Sequence, residues 1–432
     1  MKAKVITSIP GPKSKKLLAY NKEHNGGWSV PHPFVHSGQG EGCYFKDADG
    51  NTFLDFASQV SSLPLGYNHP ALQAVLKKYK TTPIKYAGQD FLVKEHNELL
   101  EELFTITPSG MNAAFLINSG AEAVENAIKI CMRKQHHAKV CISFKNAFHG
   151  RTLGALSLTN TAKHQQKEDY LAIPTERLPF TDEAPEVLDH LLTKHKPEEI
   201  ACVIMEPIQG EGGYNVPSSK MVQKIRAMTK QMNIPFIADE VQSGMGRTGE
   251  WWCMQHYNVK PDVMAAAKAL QVGATIANKE MFPTQPGSIS STWGGGHVLD
   301  LAIGIEIIRV IKKKNLLLNV KKQGKYLMQC LRELARENVN VRNVRGVGLM
   351  TAFDLPTGKM RNDLVIEAVK RGLVVIGCGM QGIRLIPPYI ITKKEIDEAM
   401  DIIRASLKAC SSPLFQQKGP VCDFMECGES HT

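Results

Sequence analysis

No run of about 18 apolar residues occurs in this 432-residue chain, so no membrane-spanning helix is expected. The N-terminus, MKAKVITSIPGPKSKK, has no apolar stretch long enough for a secretion signal. The ten cysteines form no CxxC pair and no zinc-ligand spacing, which fits a reducing compartment and makes a cytoplasmic location the expectation. Aromatic residues are few, 7%, and most sit inside apolar patterns. A nucleic-acid groove interleaves them with one basic stripe. Here the basic residues come as short runs, Lys13 to Lys16, Lys77 to Lys80 and Lys312 to Lys314, which read as solvated faces despite a net charge of +10. Nucleic acid and membrane are therefore not expected as partners, and the positive field at most favours small anionic substrates. The motifs GxxxxGK[ST], HExxH and GxSxG are all missing. Gly244-Met-Gly-Arg-Thr-Gly249 matches GxGxxG, but Glu250-Trp251-Trp252 follows where a dinucleotide fold needs a helix.

What is present is the composition of a folded protein, 43% apolar and 22% charged, long enough for two or three packed units. Residues 1–58 read as a loop-rich segment contributing to a small domain and ending in a hairpin from Gly42 to Phe56, with Asp49-Gly50-Asn51 as its turn. Over 59–297, short apolar runs alternate with segments of helical period. The runs are Ala114 to Ile117, Val140 to Phe144, Ile200 to Met205, Pro235 to Ala238 and Val263 to Ala266. That rhythm predicts an α/β large domain, a mainly parallel sheet between helices. Residues 298–410 predict a smaller α/β domain with one long helix over about 298–333, strands in Gly348 to Phe353 and Leu373 to Ile376, and a helix over about 393–409. Residues 411–432 lack periodicity and read as a disordered tail.

In such a sheet ligands bind beyond the carboxyl ends of the strands, so the residues following each apolar run are the ones to inspect. Asn118-Ser119-Gly120-Ala121 opens directly into a helical segment, and its N–H groups suit a phosphate, although a plain strand-to-helix turn reads the same way. Phe148-His149-Gly150-Arg151 crowds an aromatic, an imidazole and a guanidinium together, suited to stacking on a flat ring and pairing with a carboxylate, or else a core Phe beside a surface Arg. Glu206 and Glu211 stand in a glycine-rich loop. Asp239 ends an apolar strand and wants a buried cationic or N–H partner. Lys268 is a lone charge between Val263 and Ile276, either a buried nucleophilic amine or a snorkelling surface lysine. Taken together, a phosphate turn, a stacking aromatic, an aspartate and a lysine describe a site for pyridoxal 5′-phosphate, whose phosphate, ring, ring nitrogen and aldehyde need one each.

At these positions the sequence resembles the class III pyridoxal-phosphate aminotransferases of fold type I, which include the 4-aminobutyrate, ornithine, acetylornithine and lysine ε-aminotransferases. The resemblance runs from about Gly42 to Leu407 and is carried by NSGAEAVENAIK, AFHGRT, EPIQGEGGY, ADEVQSGMGRTG and STWGGG. It implies a large domain with a seven-stranded type of sheet, and a homodimer with shared active sites, with tetramers left open. It further implies that Lys268 takes the coenzyme aldehyde, Asp239 pairs with the ring nitrogen and Phe148 stacks on the ring beside His149. Gly120 and Ala121 hold the phosphate, with Thr292 of the other subunit reaching it, while Glu206 and Gln242 complete the ring and hydroxyl contacts. Arg384 resembles the arginine that binds an α-carboxylate, Glu211 the switch that pairs with it, and Arg151 the group for a distal carboxylate. The implied reaction moves the terminal amino group of an ω-amino or diamino acid to 2-oxoglutarate. A racemase or epimerase of the same family is the alternative. Gln271-Val272-Gly273 stands where the family commonly has glycines after the lysine, and with Ser291 to Gly295 and Gly348 to Phe353 it looks closest to the lysine ε branch.

Overall fold

The computed structural model describes residues 1–26, 32–82, 91–161, 171–285, 287–289, 295 and 297–410. Thr292 and the tail from 411, both singled out above, lie outside the described residues. The chain forms two compact units, Met1–His69 with Asn319 onward, and Pro70–Leu318.

The unit of residues 70–318 is built on a seven-stranded sheet. Its strands run, in spatial order, Ala113–Ile117, Gly273–Ala277, Val263–Ala266, Phe236–Asp239, Ile200–Met205, Val140–Phe144 and Thr175–Leu178. Gly273–Ala277 runs against the other six strands, which share one direction. The central strands are buried along their whole length, which is why they read as unbroken apolar runs. Helix Gly120–Lys134 lays Ala123, Val124, Ala127, Ile128 and Cys131 onto the sheet at helical spacing and packs against Cys141, Cys202 and Ile237. Two strands escape the sequence reading. Thr175–Leu178 is a polar edge strand, and Gly273–Ala277 is apolar but continuous with the uncharged stretch around Lys268.

The other unit carries the predicted hairpin, Tyr44–Asp47 against Thr52–Asp55, with Phe45 opposite Phe53 and Gly50 at φ 87° in the turn. The N-terminal segment is less loop-rich than expected, because Pro12–His24 is a helix. Its first N–H groups, of Lys13 and Ser14, donate to Asp49 at 2.7 and 2.9 Å, so the hairpin turn caps it. A Cβ at Gly11 would stand 2.3 Å from Asp49 Cγ, which reserves that position for glycine. A second, antiparallel sheet orders Arg342–Val347, Met350–Asp354, Gly382–Leu385 and Ile376–Cys378. The single helix expected over 298–333 is two, Val298–Lys313 and Leu316–Glu337. Asn315 parts them in the left-handed region at φ 53°, directly after three lysines that favour a helix C-terminus.

Candidate active site

Five strand ends place the residues singled out above at the carboxyl edge of the sheet, where ligands bind in sheets of this kind. Beyond Ile117, Ser119 caps helix Gly120–Lys134. Its hydroxyl oxygen accepts from Glu122 N at 3.3 Å, and the Glu122 carboxylate accepts from Asn118 N at 3.1 Å. Gly120 and Ala121 thus occupy the first turn, where N–H groups have no carbonyl of their own helix to bind. A Cβ on Gly120 would lie 2.8 Å from Val241 Cγ1 and 3.5 Å from Ala267 Cβ. The phosphate-type turn is therefore packed directly on the residues after Asp239 and before Lys268. Gly150, at φ 136°, closes on Ala121 in the same way, at 2.6 Å from a built Cβ to Ala121 Cβ.

Asp239 has the partner its position demands. Oδ2 stands 2.7 Å from His149 Nδ1, both side chains buried, and Oδ1 accepts from Val241 N at 3.1 Å. The other imidazole nitrogen, Nε2, is buried and has no hydrogen-bond partner among the described residues. His149 is itself fixed by its N–H, which donates to Thr159 Oγ1 at 3.0 Å, while Thr159 Oγ1 donates to Gly150 O at 3.1 Å. Thr159 was invisible to sequence reasoning; no motif marks it.

Glu206 accepts from Phe148 N at 2.9 Å and Gly210 N at 2.8 Å, tying the glycine-rich loop to the Phe148 loop. Burial and the neighbouring Asp239 carboxylate hold its carboxyl well above the usual carboxylate range, against the lowering effect of those N–H groups. Glu211 adds to the same push. Gly210 faces Gln242, with a built Cβ 3.0 Å from the Gln242 amide atoms, and Gly212 faces Asn146. The Arg151 guanidinium lies 5.7 Å from the centre of the Phe148 ring. Lys268 is half-buried and left-handed at φ 47°, the first residue of a single 3₁₀ turn, Lys268–Leu270. A non-glycine residue in that region is strained, and such strain clusters where a side chain must be aimed.

The structure thus brings Gly120, Ala121, Phe148, His149, Arg151, Glu206, Glu211, Asp239, Gln242 and Lys268 to one sheet edge. Arg384 is in the other unit, 5% exposed on strand Gly382–Leu385, opposite Ala352 and Ile376. Gly244–Gly249 is followed by the short 3₁₀ segment Cys253–Tyr257 and not by a long helix. The groups present fit pyridoxal phosphate: first-turn N–H groups, a buried anion anchored by imidazole, an aromatic face, a strained lysine, and a buried imidazole nitrogen left over for a ligand.

The family model described as aminotransferase class-III matches residues 28–407. An acetylornithine aminotransferase of Prochlorococcus marinus is 34% identical over 384 residues, covering 86% of this chain and 90% of that protein. The mitochondrial 4-aminobutyrate aminotransferase of Mus musculus is 31% identical over 434 residues, covering 89% and 86%. The solved structure of a lysine aminotransferase from M. tuberculosis, in its internal aldimine form, superimposes with a TM-score of 0.81 at 28% identity, covering 92% of this chain and 98% of that one.

Proposed function

We propose that this chain, which belongs to the class III aminotransferases and is a pyridoxal-phosphate-dependent enzyme, moves the terminal amino group of an ω-amino or diamino acid to a 2-oxo acid. The donor is of the 4-aminobutyrate, lysine or ornithine type, 2-oxoglutarate is the acceptor, and the products are an aldehyde and glutamate. The observation that carries the chemistry is the buried pair His149–Asp239 at the same sheet edge as the left-handed Lys268. The named activities of the relatives support the choice of donor.

When bound, the coenzyme supplies an aldehyde and a ring that draws electrons from the substrate carbon. Gly120 and Ala121 bind its phosphate with their N–H groups, and Thr292 of a second copy adds to them. Asp239 holds a proton at the ring nitrogen, and His149 keeps the Asp239 carboxylate in place. Phe148 covers one face of the ring; Glu206 and Gln242 orient the ring and its hydroxyl. Lys268 Nζ would be the amine that holds the coenzyme's aldehyde and the base for the proton on the amine-bearing carbon of the donor. Arg384 takes a carboxylate beside the reacting carbon and Arg151 a distal one, while Glu211 sorts donors that lack the first. The enzyme works as a cytoplasmic homodimer.

A spectrophotometric screen of 4-aminobutyrate, lysine, ornithine, acetylornithine and β-alanine with 2-oxoglutarate tests the reaction. Glutamate formation from at least one terminal amine is expected; turnover of α-amino donors alone would overturn the donor class. Borohydride treatment of the yellow holoenzyme, followed by peptide mass analysis, should mark Lys268. A label elsewhere would overturn the assignment of the lysine.

A further inference from the structure

The turn that follows Asp239 has two sides. Three of its residues face the site: Asp239 meets His149, Val241 packs on Gly120, and Gln242 packs on Gly210. The residues between and after them face away. Glu240 is 1% exposed and Ser243 likewise 1%. Glu240 Oε2 accepts from the Ser243 hydroxyl at 2.6 Å, and Glu240 Oε1 accepts from Met254 N at 2.8 Å. The backbone closes the same loop, with Gly244 N donating to Glu240 O at 3.0 Å, while Glu240 N donates to Ala265 O at 2.9 Å. Gly244 is pressed against Trp252, so that a Cβ there would stand 3.0 Å from the indole.

From this geometry we infer that Glu240 is a positioning residue of the coenzyme site: its buried side chain clamps the 240–244 turn to the 252–254 segment and thereby sets where Asp239, Val241 and Gln242 stand. Asp239 is held from the site side by His149 and by Val241 N, and the two contacts of Glu240 hold the same turn from behind. A carboxyl group suits the task better than a hydroxyl, because two contacts must be made across one side chain. Burial pushes the Glu240 carboxyl up to about 7. The clamp survives that proton, since the protonated group can donate to Ser243 Oγ while its other oxygen still accepts from Met254 N.

The inference rests on the assignment of Asp239 and Gln242 to the coenzyme, and the test separates the two. Coenzyme dissociation constants are measured by absorbance titration of folded apoprotein, alongside kcat and KM for the best donor. Glu240→Ala is expected to weaken coenzyme binding by about tenfold or more, the equivalent of one buried donor left unpaired, and to lower kcat more than it raises KM. Glu240→Gln, which can still bridge Ser243 and Met254, is expected to recover most of that loss. Wild-type coenzyme affinity in Glu240→Ala overturns the clamp, as does a Glu240→Gln protein as impaired as Glu240→Ala. If Glu240→Ala does not fold, Glu240→Asp replaces it: one methylene shorter, it cannot span both contacts, and wild-type affinity there overturns the clamp. Asp239→Ala serves as the control for the underlying assignment, which fails if that variant binds the coenzyme as the wild type does, whatever Glu240 does.

Discussion

His149 Nδ1 lies 2.7 Å from Asp239 Oδ2 in a pair that water does not reach, with the histidine side chain fully covered and the aspartate 5% exposed. A carboxylate so placed is costly unless it is bound on both oxygens. His149 and Val241 N together provide that, so Asp239 is held in place before any ligand arrives, as its proposed role at the ring nitrogen requires.

The pair predicts unequal losses. Asp239→Ala removes the anion itself and should lower kcat by at least about 10²-fold, the range for a group that stabilises developing charge. His149→Ala leaves the anion but frees its orientation, and should fall between Asp239→Ala and wild type, with kcat moving more than KM. Steady-state kinetics and the absorbance of the bound coenzyme check both. Equal, wild-type kinetics in the two variants would remove the pair from the mechanism.

The distance between these two residues along the chain, 90 positions, explains what was legible in the sequence and what was not. Val140–Phe144, Ile200–Met205 and Val263–Ala266 could be read residue for residue because buried parallel strands are short apolar runs bounded by polar ones. The need of Asp239 for a partner was readable from its place after such a run. The identity of the partner was not, because it depends on Ile200–Met205 lying between the strands that lead to His149 and Asp239. Helix Pro12–His24 was missed for a related reason: it has little amphipathic pattern, and the carboxylate that caps it, Asp49, comes from a distant hairpin. The break at Asn315 was hidden because apolar period resumes at once in Leu316–Glu337.

Gly120 gives a prediction that is steric and reversible. Gly120→Ala places a methyl 2.8 Å from Val241 Cγ1, so either the Gly120 turn or the Asp239 turn must move. Overpacking of this kind costs about 1–3 kcal/mol, and here the coenzyme should be lost along with stability. The double variant Gly120→Ala, Val241→Ala makes room and should recover much of both. Thermal melts with and without coenzyme measure the coupling, and simple additivity of the two substitutions would show that the contact is not the cause.

Glu240 gives a pH dependence of known sign. Burial raises its carboxyl to about 7 in the folded chain from the 4.5 of an unburied glutamate, and Asp239 adds to the rise, while the Ser243 hydroxyl and the Met254 and Cys253 N–H groups pull it down; Cys253 and Tyr257 are titratable groups that also face it. Between pH 4.5 and 7 the unfolded chain has given up this proton and the folded chain has kept it. Stability therefore falls as pH rises through that window, by up to about 3 kcal/mol from this group, and the slope ends above pH 7. Glu240→Gln carries no such proton. Denaturant titrations of the apoprotein at pH 5 and 7.5 should show a smaller difference for the variant than for the wild type; equal differences would refute the shift.

Glu211 tests the donor class itself. It stands in the loop tied to Phe148 through Glu206, close enough for its charge to raise the Glu206 carboxyl. The proposed division of labour gives Arg384, a buried guanidinium, the carboxylate of an α-amino donor or 2-oxo acid, and gives Glu211 the task of neutralising that charge when the donor brings only a terminal amine. In that division a terminal-amine donor depends on Glu211 and an α-amino donor, which brings its own carboxylate, does not. Glu211→Ala should therefore lower kcat/KM for 4-aminobutyrate or lysine and spare or raise it for glutamate, changing the ratio by about tenfold or more. Measuring both half-reactions on one preparation cancels errors in active-site concentration. If the ratio stays where the wild type has it, Glu211 plays no part in choosing donors, and the selectivity must come from the shape of the pocket instead.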